Sequence, residues 1–248
     1  MNFIREREKE MKKKFQNWYG THMDKWIPAY AFFSLIGCFV WNCLVYSITQ
    51  HLGSNLYHYD FTTGFDRSVP FCPAWVSIYV LSFPFWVISY ALTARENSKE
   101  FWYRFVFADM LARVVCGVFF LLIPTTNVRP EITGDGFWDN AMAFIYAMDM
   151  PYDLFPSIHC LASLMCYLGI RKCSTLPKTY RYGTLVFAIL VFISTQFTKQ
   201  HYIVDVIGGI TVALGCFTLS MHCNAYKLPE RLFAKIHMKV FGDYCNES

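Results

Sequence analysis

The sequence predicts an all-α fold, a polytopic membrane helical bundle with six transmembrane helices. Three observations predict it. Six apolar stretches follow one another along the chain. Only 16% of residues are charged while 55% are hydrophobic. Lys and Arg crowd into alternate connections. A soluble globule carries about 25% charged residues, so this deficit leaves much of the surface facing something other than water.

A helix that crosses the hydrocarbon core needs about 20 mostly apolar residues, and lipid offers an irregular backbone no hydrogen-bond partners. The stretches are Ile27–Ile48, Ala74–Leu92, Phe105–Pro124, Pro156–Ile170, Tyr182–Phe197 and Tyr202–Leu219. The fourth and fifth are short and call for extension into their flanks. The chain then divides into a basic tail over 1–26, a six-span domain over 27–222 and a second tail over 223–248. The N-terminal segment carries its charges with no preceding apolar run, so it is not expected to be a signal peptide.

Cytoplasmic loops collect Lys and Arg. Eighteen of the 22 basic residues fall in the N-terminal tail, the second and fourth connections and the C-terminal tail. The other connections hold only Arg67, Arg129 and Lys199, and Arg113 lies within a span. Both termini are therefore expected in the cytoplasm of an integral plasma membrane protein. The long third connection, about Thr125 to Phe155, is expected outside. It is acidic, and its FWDNAMAFIYAM segment reads either as an interfacial helix or as an ordered loop packed on the bundle. With a net charge of only +4 and no basic tract interleaved with aromatics beyond the N-terminal tail, a nucleic-acid partner is excluded. The partner is the bilayer. The ten cysteines include no CxxC pair, and His51, His58 and Asp60 have the spacing of an ordinary loop, so no metal site and no cofactor are expected.

Two segments at the outer ends of spans carry the chemistry. In STQFTKQHYIVD, His201 and Asp205 are four apart, the spacing of one helical face. A carboxylate one turn inside the membrane needs a partner. A hydrogen bond to one nitrogen of His201 fixes the tautomer and frees the other nitrogen as base or nucleophile. Taken alone the pair is equally a structural one. In FPSIH, Pro156 suits a first helical turn, whose unpaired N–H groups attract anions. Ser157 adds a hydroxyl and His159 a titratable ring; alone, this reads as a helix cap beside a snorkelling histidine. Together the segments supply what phosphoryl transfer asks for: an imidazole that attacks phosphorus, a second that protonates the leaving oxygen, and fixed donors for the charge on the other oxygens. Lys199 and Arg129 lie beside the motifs as candidate phosphate contacts. Asp109 and Arg113, four apart in the third span, read as a structural ion pair far from this site.

These residues resemble the type 2 phosphatidic acid phosphatase superfamily, which also includes vanadium haloperoxidases. Its blocks read KxxxxxxRP, PSxH and SRxxxxxHxxxD. Pro156, Ser157 and His159 match the second; Ser194, His201 and Asp205 match the third. Arg129–Pro130 fits the end of the first, whose Lys position holds Leu122, and the Arg of the third block is Thr195. FPSIHC and KQHYIVDVIGG are most similar to the branch that includes inositol phosphorylceramide synthase. The resemblance implies catalytic His201, Asp205 and His159, with Ser157, Arg129 and Ser194 around the phosphate and no metal; Lys199, near the missing Arg of the third block, is inferred from its place to stand in for a phosphate-binding cation. It implies a lipid phosphate phosphatase acting at the outer face on a phospholipid or isoprenoid phosphate through a phosphohistidine. The same histidines serve a phosphotransferase that moves a headgroup between lipids. A non-catalytic transporter or scaffold that keeps the fold is the third reading.

Overall fold

The apolar stretches fold into the helices that their lengths call for. The computed structural model describes residues 2–242. Its helices are α1 (Asn2–His22), α2 (Ala29–Gly53), α3 (Gly64–Ser68), α4 (Val76–Glu96), α5 (Lys99–Leu122), α6 (Phe137–Met148), α7 (Ile158–Ile170), α8 (Lys178–Phe197), α9 (Ile203–His222) and α10 (Lys227–Val240). Among the described residues five helices are long and apolar enough to cross a membrane: α2, α4 with its preceding turn, α5, α8 and α9. Their outward faces carry exposed Ile36, Val40, Leu44, Val87, Ile88, Val118, Val186, Ile189 and Leu214, a surface that suits lipid and not water.

The fourth predicted span is different in kind. Helix α7 has 13 residues, about 20 Å of rise, against a hydrocarbon core of about 30 Å. It is also the most enclosed helix, with every residue from Cys160 to Met165 buried. It lies among α4, α5, α8 and α9, so neighbouring protein rather than lipid surrounds its ends. A helix so enclosed is free to start late, and the residues before it form part of the site.

The basic segments at the two ends of the chain are helical. Tyr19 of α1 packs edge-on against Phe32 and against Phe241, which follows α10. His237 Nδ1 lies 3.2 Å from the Ala29 carbonyl at the start of α2. Residues 243–248, with Cys245, lie outside the described residues. At the other end of the bundle the connections interlock. β1 (Tyr59–Asp60) pairs in parallel with β2 (Thr125–Thr126), and Thr126 bridges to Tyr152. The acidic connection is a helix where FWDNAMAFIYAM stands, α6, which exposes Phe137, Phe144 and Met148.

Candidate functional site

The two motif segments meet through their backbones. The Ser157 N–H donates to the Asp205 carbonyl at 3.0 Å. The contact requires Gly209: a Cβ there would stand 2.4 Å from the Ser157 carbonyl oxygen. A Cβ on Gly208 would stand 2.5 Å from the Phe155 ring. The paired glycines therefore let α9 lie directly on the FPS segment.

Helix α7 begins at Ile158, with Ser157 as its cap; the Ser157 hydroxyl accepts from the Cys160 N–H at 3.3 Å. Pro156, expected in the first helical turn, precedes the cap and follows a cis peptide bond. The first-turn N–H groups of Ile158 and His159 have no preceding carbonyl within reach, as at any helix start, and they turn the positive end of α7 toward the site. The His159 ring stacks on Tyr79 at a centroid distance of 4.4 Å and is flanked by Phe83 and Trp86. Trp86 is held in turn by a 2.9 Å bond from its Nε1 to Ser163.

His201 does not share a helical face with Asp205, as the four-residue spacing implied. It lies in the turn before α9, where Lys199 adopts a positive φ of 52° and reverses the chain. That turn is fixed on all sides. The His201 N–H donates to the Thr195 carbonyl, Gln196 donates to the His201 carbonyl, Asn127 to the Lys199 carbonyl and Tyr146 to the Thr198 carbonyl. His201 Nδ1 faces Asp205 Oδ2 at 3.7 Å, ion-pair range and longer than a hydrogen bond, while that oxygen accepts from the Tyr202 N–H at 2.8 Å. Asp205 thus caps α9 and stands beside His201 at once. The ring is buried, with 6% exposure.

The His159 and His201 rings lie 5.6 Å apart, centroid to centroid, and both line one cavity of about 530 Å³. Helices α2, α4 and α6 supply most of its remaining wall, including Tyr46, Tyr79, Phe83, Trp86, Phe144 and Met148. Asp149, Asp153 and Asn42 are its other polar side chains besides the tyrosines and tryptophan. Among the described residues no Lys or Arg lines it.

The remaining expected residues are held elsewhere. The Lys199 ammonium donates to the carbonyls of Asp66 and Val69 at 2.7 and 2.5 Å, and burial draws its pKa below the usual lysine value. Arg129 lies over the Tyr146 ring and donates to the Tyr146 and Asp149 carbonyls at the end of α6 and to Gln200 Oε1. The Ser194 hydroxyl is turned back to the Val191 carbonyl. Conversely, the Asp109–Arg113 pair, 2.9 Å apart, is near the site: it lines a smaller cavity of about 180 Å³ that shares Asn42, Phe83, Trp86 and Ile158 with the larger one.

Several positioning residues carried no catalytic signature. Asp66 accepts from the Ile203 N–H at 2.8 Å and caps α9 from a distance of 137 residues along the chain. It is fixed by a capping box with Thr63, whose T-x-x-D pattern is legible in the sequence. Thr125 accepts from the N–H groups of Leu154 and Phe155, just ahead of FPSIH. For Tyr79 and Trp86 nothing distinguished them from other aromatics of a span.

Fold and site together define a helical membrane protein with paired imidazoles at the rim of an apolar cavity. A family model described as the PAP2 superfamily matches residues 64–219, and the chain belongs to that superfamily. The matched region runs from α3 into the last turn of α9 and contains both motif segments. Membership supports a phosphatase-type activity on phosphoric esters of lipids. No curated protein and no solved structure matches the chain.

Proposed function

We propose that the protein transfers the phosphoryl group of a membrane lipid through a phosphohistidine on His201, as a metal-independent lipid phosphate phosphatase of the outer leaflet. The observation that carries this reading is the pair of imidazoles 5.6 Å apart on one otherwise largely apolar cavity. With Nδ1 toward Asp205, His201 offers Nε2 to phosphorus. The nitrogen lone pair forms the N–P bond as the bond from phosphorus to the leaving oxygen breaks, and His159 gives that oxygen its proton. His159 then takes a proton from water, whose oxygen attacks phosphorus and frees His201. The first-turn N–H groups of α7, with Ser157 setting their position, offset the charge on the non-bridging oxygens. Asp205 steadies the imidazolium form of His201. Lys199, Arg129 and Ser194 hold the turn and the α6 end rather than the phosphate. The apolar walls suit acyl or isoprenoid chains, and the bias of basic residues supports a cavity at the outer face with both termini inside.

A second reading, headgroup transfer to a lipid alcohol, is favoured by one observation: no Lys or Arg lines the cavity. A phosphate monoester brings close to two negative charges at neutral pH, whereas a diester brings one. Purified protein given labelled phosphatidic acid, or a phosphodiester lipid with and without a lipid alcohol, separates the two. Free phosphate supports the phosphatase and a new phospholipid supports the transferase. In both cases His201→Ala loses turnover while remaining folded in detergent, and vanadate inhibits the wild type. Equal turnover in the variant and the wild type overturns both readings.

A further inference from the structure

Beyond the histidines, the large cavity has an acidic, aromatic side that the phosphoryl chemistry does not use. Asp153 is 3% exposed and lines the cavity, and neither of its carboxylate oxygens has a hydrogen-bond partner. The neighbouring Thr49 hydroxyl donates instead to the Tyr46 carbonyl at 3.0 Å. Asp153 sits at a positive φ of 60°, held there by its N–H on the Thr125 carbonyl and by the Thr125 hydroxyl on the next two N–H groups. The chain thus fixes a buried carboxylate in the wall with the Thr49 hydroxyl beside it but, among the described residues, no cation to pair with it. Asp149, the other acid of this wall, is already matched by the Tyr46 hydroxyl at 2.6 Å and by Arg129 at 3.7 Å. Tyr46, Tyr79, Trp86 and Tyr152 line the same cavity.

A buried anion with no partner is unfavourable unless a cation arrives. Aromatic faces beside a carboxylate are the environment that recognises alkylammonium groups. We propose that Asp153 and the surrounding rings bind a substrate ammonium, so that the cavity takes a zwitterionic phosphodiester lipid whose headgroup ends in an amine or quaternary amine. The inference rests on the phosphoryl-transfer reading and narrows it to the diester arm. The phosphate meets the two imidazoles and the α7 N-terminus. The ammonium, a few bonds away, meets Asp153, and the acyl chains run along the apolar wall of α4 and α6. The absence of Lys and Arg from the lining then follows from the substrate, whose own cation supplies the counter-charge.

The test uses the full chain in detergent with three phospholipids of matched acyl chains: phosphatidylcholine, phosphatidylglycerol and phosphatidic acid. Consumption of each is followed in wild type, Asp153→Asn and Asp153→Glu, and thermal shifts are recorded with added phosphocholine and with inorganic phosphate. In the wild type kcat/KM for phosphatidylcholine exceeds that for phosphatidylglycerol by about tenfold or more. The preference falls to within about twofold in Asp153→Asn and partly returns in Asp153→Glu, which keeps the charge. Phosphocholine raises the melting temperature of wild type and not of Asp153→Asn. Faster consumption of phosphatidylglycerol or phosphatidic acid by the wild type overturns this inference and leaves the His201 mechanism standing. A phosphocholine shift that depends on Asp153, with no turnover of any lipid, supports the ammonium site and overturns the enzymatic reading. No Asp153-dependent shift together with no lipid preference overturns the inference.

Discussion

A single methyl group at Gly209 tests how tightly the two motif segments are joined. An ideal Cβ on Gly209 stands 2.4 Å from the Ser157 carbonyl oxygen, where ordinary contact begins at 3.4 Å, so about 1 Å of separation must be found. The other near atoms, Cys160 Cβ and the Leu161 backbone nitrogen, are both at 3.3 Å and belong to the start of α7. None is the loose end of a flexible side chain, so α9 itself must move away from α7. That movement stretches the bond from the Ser157 N–H to the Asp205 carbonyl and carries His201 and Asp205 away from His159. Overpacking of this kind costs about 1–3 kcal/mol of stability, and a 1 Å displacement of catalytic groups costs on the order of 100-fold in rate. Gly215 is the control, since a Cβ there meets nothing within 4 Å on the same helix. Gly215→Ala is expected to be neutral or more stable by up to about 1 kcal/mol, because alanine is the better helix residue. Melting temperature in detergent and initial turnover on the preferred lipid are the two assays. If Gly209→Ala matches Gly215→Ala in both, the close approach of α9 to Ser157 does not set the site.

Two further substitutions probe the walls. Thr125→Val keeps the shape of the side chain but removes the acceptor of the Leu154 and Phe155 N–H groups, and should cost about 1–3 kcal/mol for each buried donor left unpaired. An unchanged denaturation midpoint would show that these bonds do not hold the segment before FPSIH. Burial raises the Asp153 pKa from 3.8 to about 6, so the folded state holds its proton more tightly than the unfolded chain. Stability from this group is therefore lost as pH rises between these values. Without ligand, Asp153→Asn should melt above the wild type at pH 7.5 and with it at pH 3.5; an equal gap at both would contradict the assignment.

The sequence shows the bundle more plainly than the site, for physical reasons. A span must be apolar over its length, so five helices appear as apolar runs. Helix α7 was legible as short, but the extension into its flanks that a span calls for is not made, because the protein around it, which only the tertiary structure supplies, lets it stop early. His159, His201 and Asp205 could be picked out because few residue types carry this chemistry and a polar residue within a span needs a reason. Their local geometry was not legible. The four-residue spacing of His201 and Asp205 fits a helix, yet the helix begins after His201 because the Asp66 and Asp205 carboxylates cap it at Tyr202 and Ile203. Arg129 and Lys199 looked free to bind phosphate, but Lys199 is bonded to two distant backbone carbonyls and Arg129 to carbonyls at the end of α6 and to the Gln200 side chain. Arg113 was placed too far away, since depth along a helix says nothing about which cavity a side chain lines.

The most direct measurement is the chemical fate of His201 during turnover. Purified protein is mixed with a lipid carrying labelled phosphorus, quenched in base and digested, and the labelled peptide is sequenced by mass spectrometry. The expected result is a base-stable, acid-labile phosphoryl adduct on His201 that forms in the wild type, forms more slowly in His159→Ala and vanishes in His201→Ala. A label on another residue, or turnover that proceeds with no protein-bound phosphorus in any variant, would contradict it.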